Sequence, residues 1–438
     1  MSTTAHRIAA CALLLLAGAL GACQDPQPDV MPDGRTPVRV FLLLISTGQV
    51  EFYDWAEKAF EAEHPDLDVI VDQFPGSSLK DFEIKLRLRF SSGQAPDLFH
   101  VNTNVASELA SLGLLAPAPP SVVERIEANS LNAFVENAGR FDGTDYGIVS
   151  DGVWTALYYN KDMFREAGLD PERPPETWDE LIEMADRLTV RAPDGSPTRA
   201  GLSLRKSGFK AGTAEKWMTF LYSAGGTAFS DDGTHATFDS DAGRAALDFY
   251  RTILFDRRID SVDLEGDQQG FGQQRVAMFI REPHVMGWLR DNYPDLDFGV
   301  APIPRRDTSI SAAGSYMFAV SADSPHPDAA WRFAEFLTND SSYTRYAAAA
   351  GVLPMTRSVA SLPAYTDDPG MQVFLQQGAR STGGFPRASR AADILGAYIE
   401  RFCYGHLTAD EVLTRATRDV DAVLAPNRRA LRPSASTP

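Results

Sequence analysis

The chain has 438 residues, 44% of them hydrophobic and 23% charged. That is an ordinary globular composition and too much chain for one hydrophobic core, so two lobes are expected. The formal net charge of −18 argues against nucleic acid and anionic lipid surfaces as partners, because both are held through basic patches.

The N-terminus reads as a segment outside the fold. Arg7 precedes the apolar run "IAACALLLLAGALGAC", too short to span a bilayer and ending in small residues before Cys23. That is the layout of a secretory signal over residues 1–22. Leu20-Gly21-Ala22-Cys23 resembles the bacterial lipobox, which implies lipidation of Cys23 as the mature N-terminus. Residues 23–36 carry the lipid and a polar, proline-rich tether. With Cys11 and Cys23 so assigned, Cys403 is alone and no intrachain disulfide is expected.

From Val38 the pattern alternates strand and helix. "VRVFLLLI" is a continuous apolar run, as in a strand buried on both faces, and "QVEFYDWAEKAFEAEH" is an amphipathic helix stopped by Pro65. "LDVIVDQF", "SLKDFEIKLRLRFSSG", "PDLFHV" and "TNVASELASLG" repeat the unit. Parallel strands joined by helices predict an open wound sheet that binds ligands beyond the carboxyl ends of its strands. Those ends lead into loops holding Ser46 and Gln49, then Ser77, then Asn102 and Asn104. Each could instead cap its own helix.

A second series starts at "YGIVSDGVWTALYYN" and runs through the helices "TWDELIEMADRL" and "TAEKWMTFLYSAG" to the strands "RVAMFI", "DFGVAPIP" and "SYMFAVS". In "ALYYNKDMF", Asn160 reads as a helix N-cap, and alternation sends Leu157 and Tyr159 to one side and Tyr158 to the other. Thr177 and Glu180 form a capping box. The stretch is therefore framework, and Asp151 and Trp154 just upstream are the better site candidates.

The residues "DGTDYGIVSDGVWTALYYNKDMFREAGLDPERPPETWDEL", with "GQAPDLFHV", "FGVAPIP" and "HPDAAWRFAEFLTN" in the same order, resemble the extracellular solute-binding proteins of sugar ABC transporters, the family of maltose-binding protein. Val149 departs from the family's usual proline, and no Trp-rich stretch follows the first strand. The resemblance implies an α/β fold of two lobes, each a wound, mostly parallel sheet flanked by helices, with the ligand cleft between them. Lobe one is expected at 37–147 plus 303–350, lobe two at 150–298 plus 353–425, and a disordered tail at 426–438. It further implies a monomer that captures a mono- or oligosaccharide by hinge closure and delivers it to ABC permease subunits, anchored to the outer face of the membrane through its lipid. A sensor component for a receptor or kinase is the alternative, and a glycoside-acting enzyme a more remote one.

Sugar recognition needs flat apolar faces and planar polar groups matched to paired hydroxyls. Trp154, Trp217 and Trp288 lie at element starts or edges and are the stacking candidates, whereas Trp178 belongs to an amphipathic helix and the core. Arg281, Glu282 and His284 in "IREPHVMGW", Ser315 and Tyr316 in "AGSYM", and Arg357 in "GVLPMTR" complete the expected ligand contacts, with Arg281 and Arg357 as the cleft's cations. No hydrolase, zincin or P-loop motif occurs and the histidines lack metal-ligand spacing, so no catalytic residue, metal or cofactor is assigned.

Overall fold

The computed structural model describes residues 30–44, 46–74, 78–208, 210–230, 233–379, 382–383 and 389–430. Cys23 and Ser77 lie outside them.

The first sheet is built from β1 (Thr36–Leu42), β2 (Leu67–Gln73), β3 (Leu98–Asn102), β4 (Gly147–Val153) and β8 (Ala312–Val320), with a short sixth strand, Thr382–Gly383, parallel to the start of β8. β1 runs parallel to both β2 and β3, and β8 closes the order antiparallel to β3 and β4. The intervening helices are α1 (Thr47–Glu63), α2 (Leu79–Ser91) and α3 (Thr103–Ser111). Each start is set by a polar side chain that accepts an otherwise unpaired backbone N–H: Ser46 for α1, Ser78 for α2 and Asn102 for α3. Phe52 and Tyr53 of α1 pack on Tyr346 of α9 (Asp340–Ala350), whose Tyr343 is also buried, and Phe60 packs on Phe333 and Phe336.

The second sheet centres on β5 (Ala156–Asn160), which pairs antiparallel with β6 (Met278–Arg281) and β7 (Phe298–Ala301). Parallel bridges from Ala200 to Val276 and from Ser203 to Phe279 bring "RAGLSL" against it. Around it lie α4 (Trp178–Leu188), α5 (Lys210–Ser223), α6 (Asp241–Arg251), α7 (His284–Asn292), α11 (Ser389–Cys403) and α12 (Ala409–Ala430). α8 (Pro327–Leu337) covers the first sheet, and α10 (Pro369–Gly378) lies against β5 and β7. The capping box at Thr177 and Glu180 is present, and Asn160 Oδ1 accepts the Met163 N–H. No described helix is long and apolar enough to cross a membrane.

The alternation in β5 divides two cores. Leu157 and Tyr159 enter the second with Trp178, Trp217 and Leu395, while Tyr158 joins the first and donates to the Glu282 carbonyl at 2.8 Å. The chain changes sheets later than the sequence implies. β4 stays bonded to β8 through Val153, beyond residue 150, and Leu353, Met355 and Val359 pack in the first core rather than the second.

Candidate functional site

Where the carboxyl ends of β1 and β3 face α5, β6 and α7, a cleft of about 1320 Å³ opens between the lobes. The first lobe contributes Gln49, Asn102, Asn104, His100, Asp151 and Tyr316, and the second Glu215, Lys216, Arg281, Glu282 and His284. Gln49, Asn102, Asn104, Asp151, Arg281, Glu282, His284 and Tyr316 are thus brought together, as the sequence suggested.

Asn102 does two jobs. Its Oδ1 accepts the Asn104 N–H at 2.9 Å to cap α3, and its side chain also meets the Tyr316 hydroxyl in the cleft. Gln49 likewise bonds the hydroxyl of Tyr346. Tyr316 lies against the His100 ring with centroids 5.5 Å apart. Burial pushes the Tyr316 hydroxyl up, and the nearby Asp151 adds to the effect, so it stays a neutral donor and acceptor.

The pairing of β4 with β8 slips by one residue between Tyr316 and Met317, leaving Ser150 as the extra residue. Ser150 Oγ lies 2.7 Å from His100 Nε2, and the Ser150 carbonyl accepts from Tyr343 Oη at 2.6 Å. Asp151, the next residue, reaches the cleft floor. The Ser150–His100 contact does not make a nucleophile: Ser150 is fully buried, and burial drives the His100 pKa down to about 4.

The second wall is a chain of ion pairs. Lys216 pairs with Glu282, whose other oxygen accepts from Arg281 Nε at 2.7 Å; Arg281 also pairs with Asp267, and Arg205 reaches Asp267 at 2.9 Å. Burial opposes ionisation of Glu282, but Lys216 and Arg281 outweigh it and hold the carboxyl well below its usual range. Opposite, Arg87 forks onto Glu108 at 2.8 and 3.3 Å. The cleft therefore holds more cations than Arg281: Lys80, Arg87, Arg205, Lys210, Lys216 and Arg390 also line it, facing Glu83, Glu108, Asp151, Glu215, Glu282 and Asp393.

Several expected contacts lie elsewhere. The Trp154 indole fills a slot between Gly152 and Gly378, so tight that a Cβ on either would lie 2.3 or 2.5 Å from the ring. Its Nε1 donates to the Phe374 carbonyl at 2.7 Å, making it a bolt between β4 and α10 and no stacking platform. Trp217 is fully buried in α5, edge-on to Phe238 at 6.0 Å. Trp288 is half-buried against Tyr293. Ser46 is spent as the α1 cap. Ser315 alternates to the face away from Tyr316 and shares a 3.1 Å hydrogen bond with Thr103 Oγ1. Arg357 starts a short helix behind the first lobe and donates to the Ala128 carbonyl, outside the cleft.

Lys216 and Glu215 were missed. The available signal was a Glu-Lys pair inside "TAEKWMTFLYS", a helix so apolar that a charge within it needs a partner or a ligand. Among the described residues no group of three or more His, Cys, Asp or Glu side chains is placed to hold a metal ion.

The comparisons agree with this geometry. The family model described as "Bacterial extracellular solute-binding protein" matches residues 46–343. A binding protein of Brucella abortus strain 2308 is 27% identical over 397 residues, covering 88% of this chain and 93% of its own. A solute-binding protein of an ABC transporter from Thermotoga lettingae, solved with α-D-tagatose, is 25% identical with a TM-score of 0.74, covering 89% of this chain and 99% of that one. The cyclic α-maltosyl-1,6-maltose binding protein of Arthrobacter globiformis is 23% identical with a TM-score of 0.77, covering 90% and 100%. The chain belongs to the bacterial extracellular solute-binding protein family.

Proposed function

We propose that the protein is the extracytoplasmic capture component of an ABC importer, holding a small uncharged carbohydrate between its lobes. The observation that carries this is how the cleft charges are disposed. Arg87, Lys216 and Arg281 already face carboxylates, and Lys210 pairs with Glu400 beside the cleft. A phosphate or sulfate would have to compete with those carboxylates for each of these cations. Beside these ion pairs the cleft presents groups that suit hydroxyls: the side-chain amides of Gln49, Asn102 and Asn104, the Tyr316 phenol and the Asp151 carboxyl. The sugar named for the Thermotoga relative is of this chemical class. Binding without turnover accords with the family, whose members are described as solute-binding proteins.

A thermal-shift screen of mono- and oligosaccharides tests it, since a ligand at about 100 times its Kd adds roughly 2.7 kcal/mol to the folded state. A carbohydrate hit is expected. Hits confined to phosphates, polyamines or peptides would overturn the sugar reading. The same reading places the protein on the outer face of the membrane through lipid at Cys23. Cys23→Ser is then expected to move it from the membrane to the soluble fraction, and unchanged retention would refute the anchor.

A further inference from the structure

Asp151 is an ionisable group poorly provided for by its surroundings. It sits at the cleft floor one residue past the bulge, and β4 ends at Val153. The titratable groups within electrostatic reach are phenols: Tyr53 of α1, Tyr316 of β8, and Tyr343 and Tyr346 of α9. Two of those hydroxyls are engaged by Asn102 and Gln49, and the Tyr343 hydroxyl is turned to the Ser150 and Leu353 carbonyls. His100 of β3, on the same wall, is held by Ser150 and is neutral near pH 7. Among the described residues the Gly152 N–H alone supports the charge, and burial pushes Asp151 up to about 7.

A carboxylate facing a cleft with one backbone donor has acceptor capacity to spare, and hydroxyl hydrogens are what a polyol brings. We propose that Asp151 grips the ligand and that capture is proton-linked: sugar hydroxyls donate to its ionised carboxylate, and the proton it carried leaves to solvent as the ligand enters. The inference rests on the uncharged-sugar reading above, because such a ligand has no titration of its own near neutrality.

The direction follows from linkage. Donors from the ligand favour the charged form, so the pKa falls on binding, and below the free-state value each capture must first expel a proton. Affinity is therefore expected to rise roughly tenfold or more between about pH 5.5 and about pH 7.5, and to level off above.

The test is calorimetric titration of the intact protein at both pH values with a panel of mono- to trisaccharides that includes D-tagatose. A sugar that binds the wild type more tightly at the higher pH, with a slope lost in Asp151→Asn and kept in His406→Gln, a change at an exposed histidine outside the cleft, is the expected result. Binding with no pH slope, or a slope that survives Asp151→Asn, would overturn the proposal while leaving the sugar reading intact. Binding by no sugar at either pH would overturn the sugar reading and this proposal with it. Should Asp151→Asn fail to fold, the ¹³C carboxyl titration of wild-type Asp151 replaces it. A midpoint that drops by about one unit or more with sugar supports the linkage, and an unmoved midpoint contradicts it.

Discussion

The Trp154 ring is held by close-packed neighbours and one hydrogen bond, and none of its surface faces the cleft. Truncating such a side chain leaves a cavity and an unpaired carbonyl at Phe374. Trp154→Ala is expected to cost about 3–5 kcal/mol of folding stability, as is Trp217→Ala, both read by urea unfolding. Wild-type stability in either variant would mean that the ring is not core. Asp151 has the opposite tendency. Its folded-state pKa is raised, so the native state holds the proton more tightly than the unfolded chain. Unliganded stability is then fully supported below the unfolded pKa of about 4 and declines as pH rises towards about 7. Asp151→Asn is expected to flatten that decline, and unfolding midpoints measured across this range check it.

At the scale of elements, the cleft depends on how closely helices approach. A Cβ on Gly48 would lie 2.3 Å from the Ala349 carbonyl oxygen, so α1 and α9 meet backbone to backbone at the helix that presents Gln49. Gly48→Ala must push them apart and is expected to destabilise by about 1–3 kcal/mol, measured by denaturant titration. On the facing wall, Lys216→Met removes one of two cations from a carboxylate that is 11% exposed. A loss of about 3 kcal/mol is expected, mostly recovered in Lys216→Met with Glu282→Leu, because the penalty is an undercompensated buried charge. The same elements explain what was legible in the sequence. The strand–helix units, the Asn160 cap, the Thr177–Glu180 box and the split of Leu157 from Tyr158 follow from local periodicity and capping, which neighbours in sequence dictate. The loop ends of β1 and β3 also bring Gln49, Asn102 and Asn104 to the cleft. The tryptophans misled because α5 is buried on all sides, so no period marks one face as wet. Trp154 misled because its partner, Phe374, lies 220 residues away. The pairing of Lys216 with Glu282, 66 residues on, was invisible for the same reason.

Across the whole molecule, the two lobes are joined at the base by an apolar seam running from Trp154 through Phe374 to Tyr158 and Phe279. Above it the walls carry polar groups that face each other across open space, Gln49, Asn104 and Asp151 against Glu215, Lys216 and His284. A ligand that touches both walls favours the state in which they are closer, and it can shift that equilibrium only by its difference in affinity for the two states. The seam suits a pivot at the base, with closure confined to the mouth. Capture between closing lobes is the central claim, and small-angle scattering with and without a saturating sugar from the binding panel tests it most directly. A smaller radius of gyration in the liganded protein is predicted. An unchanged radius at saturation would contradict the account and leave a rigid pocket in its place.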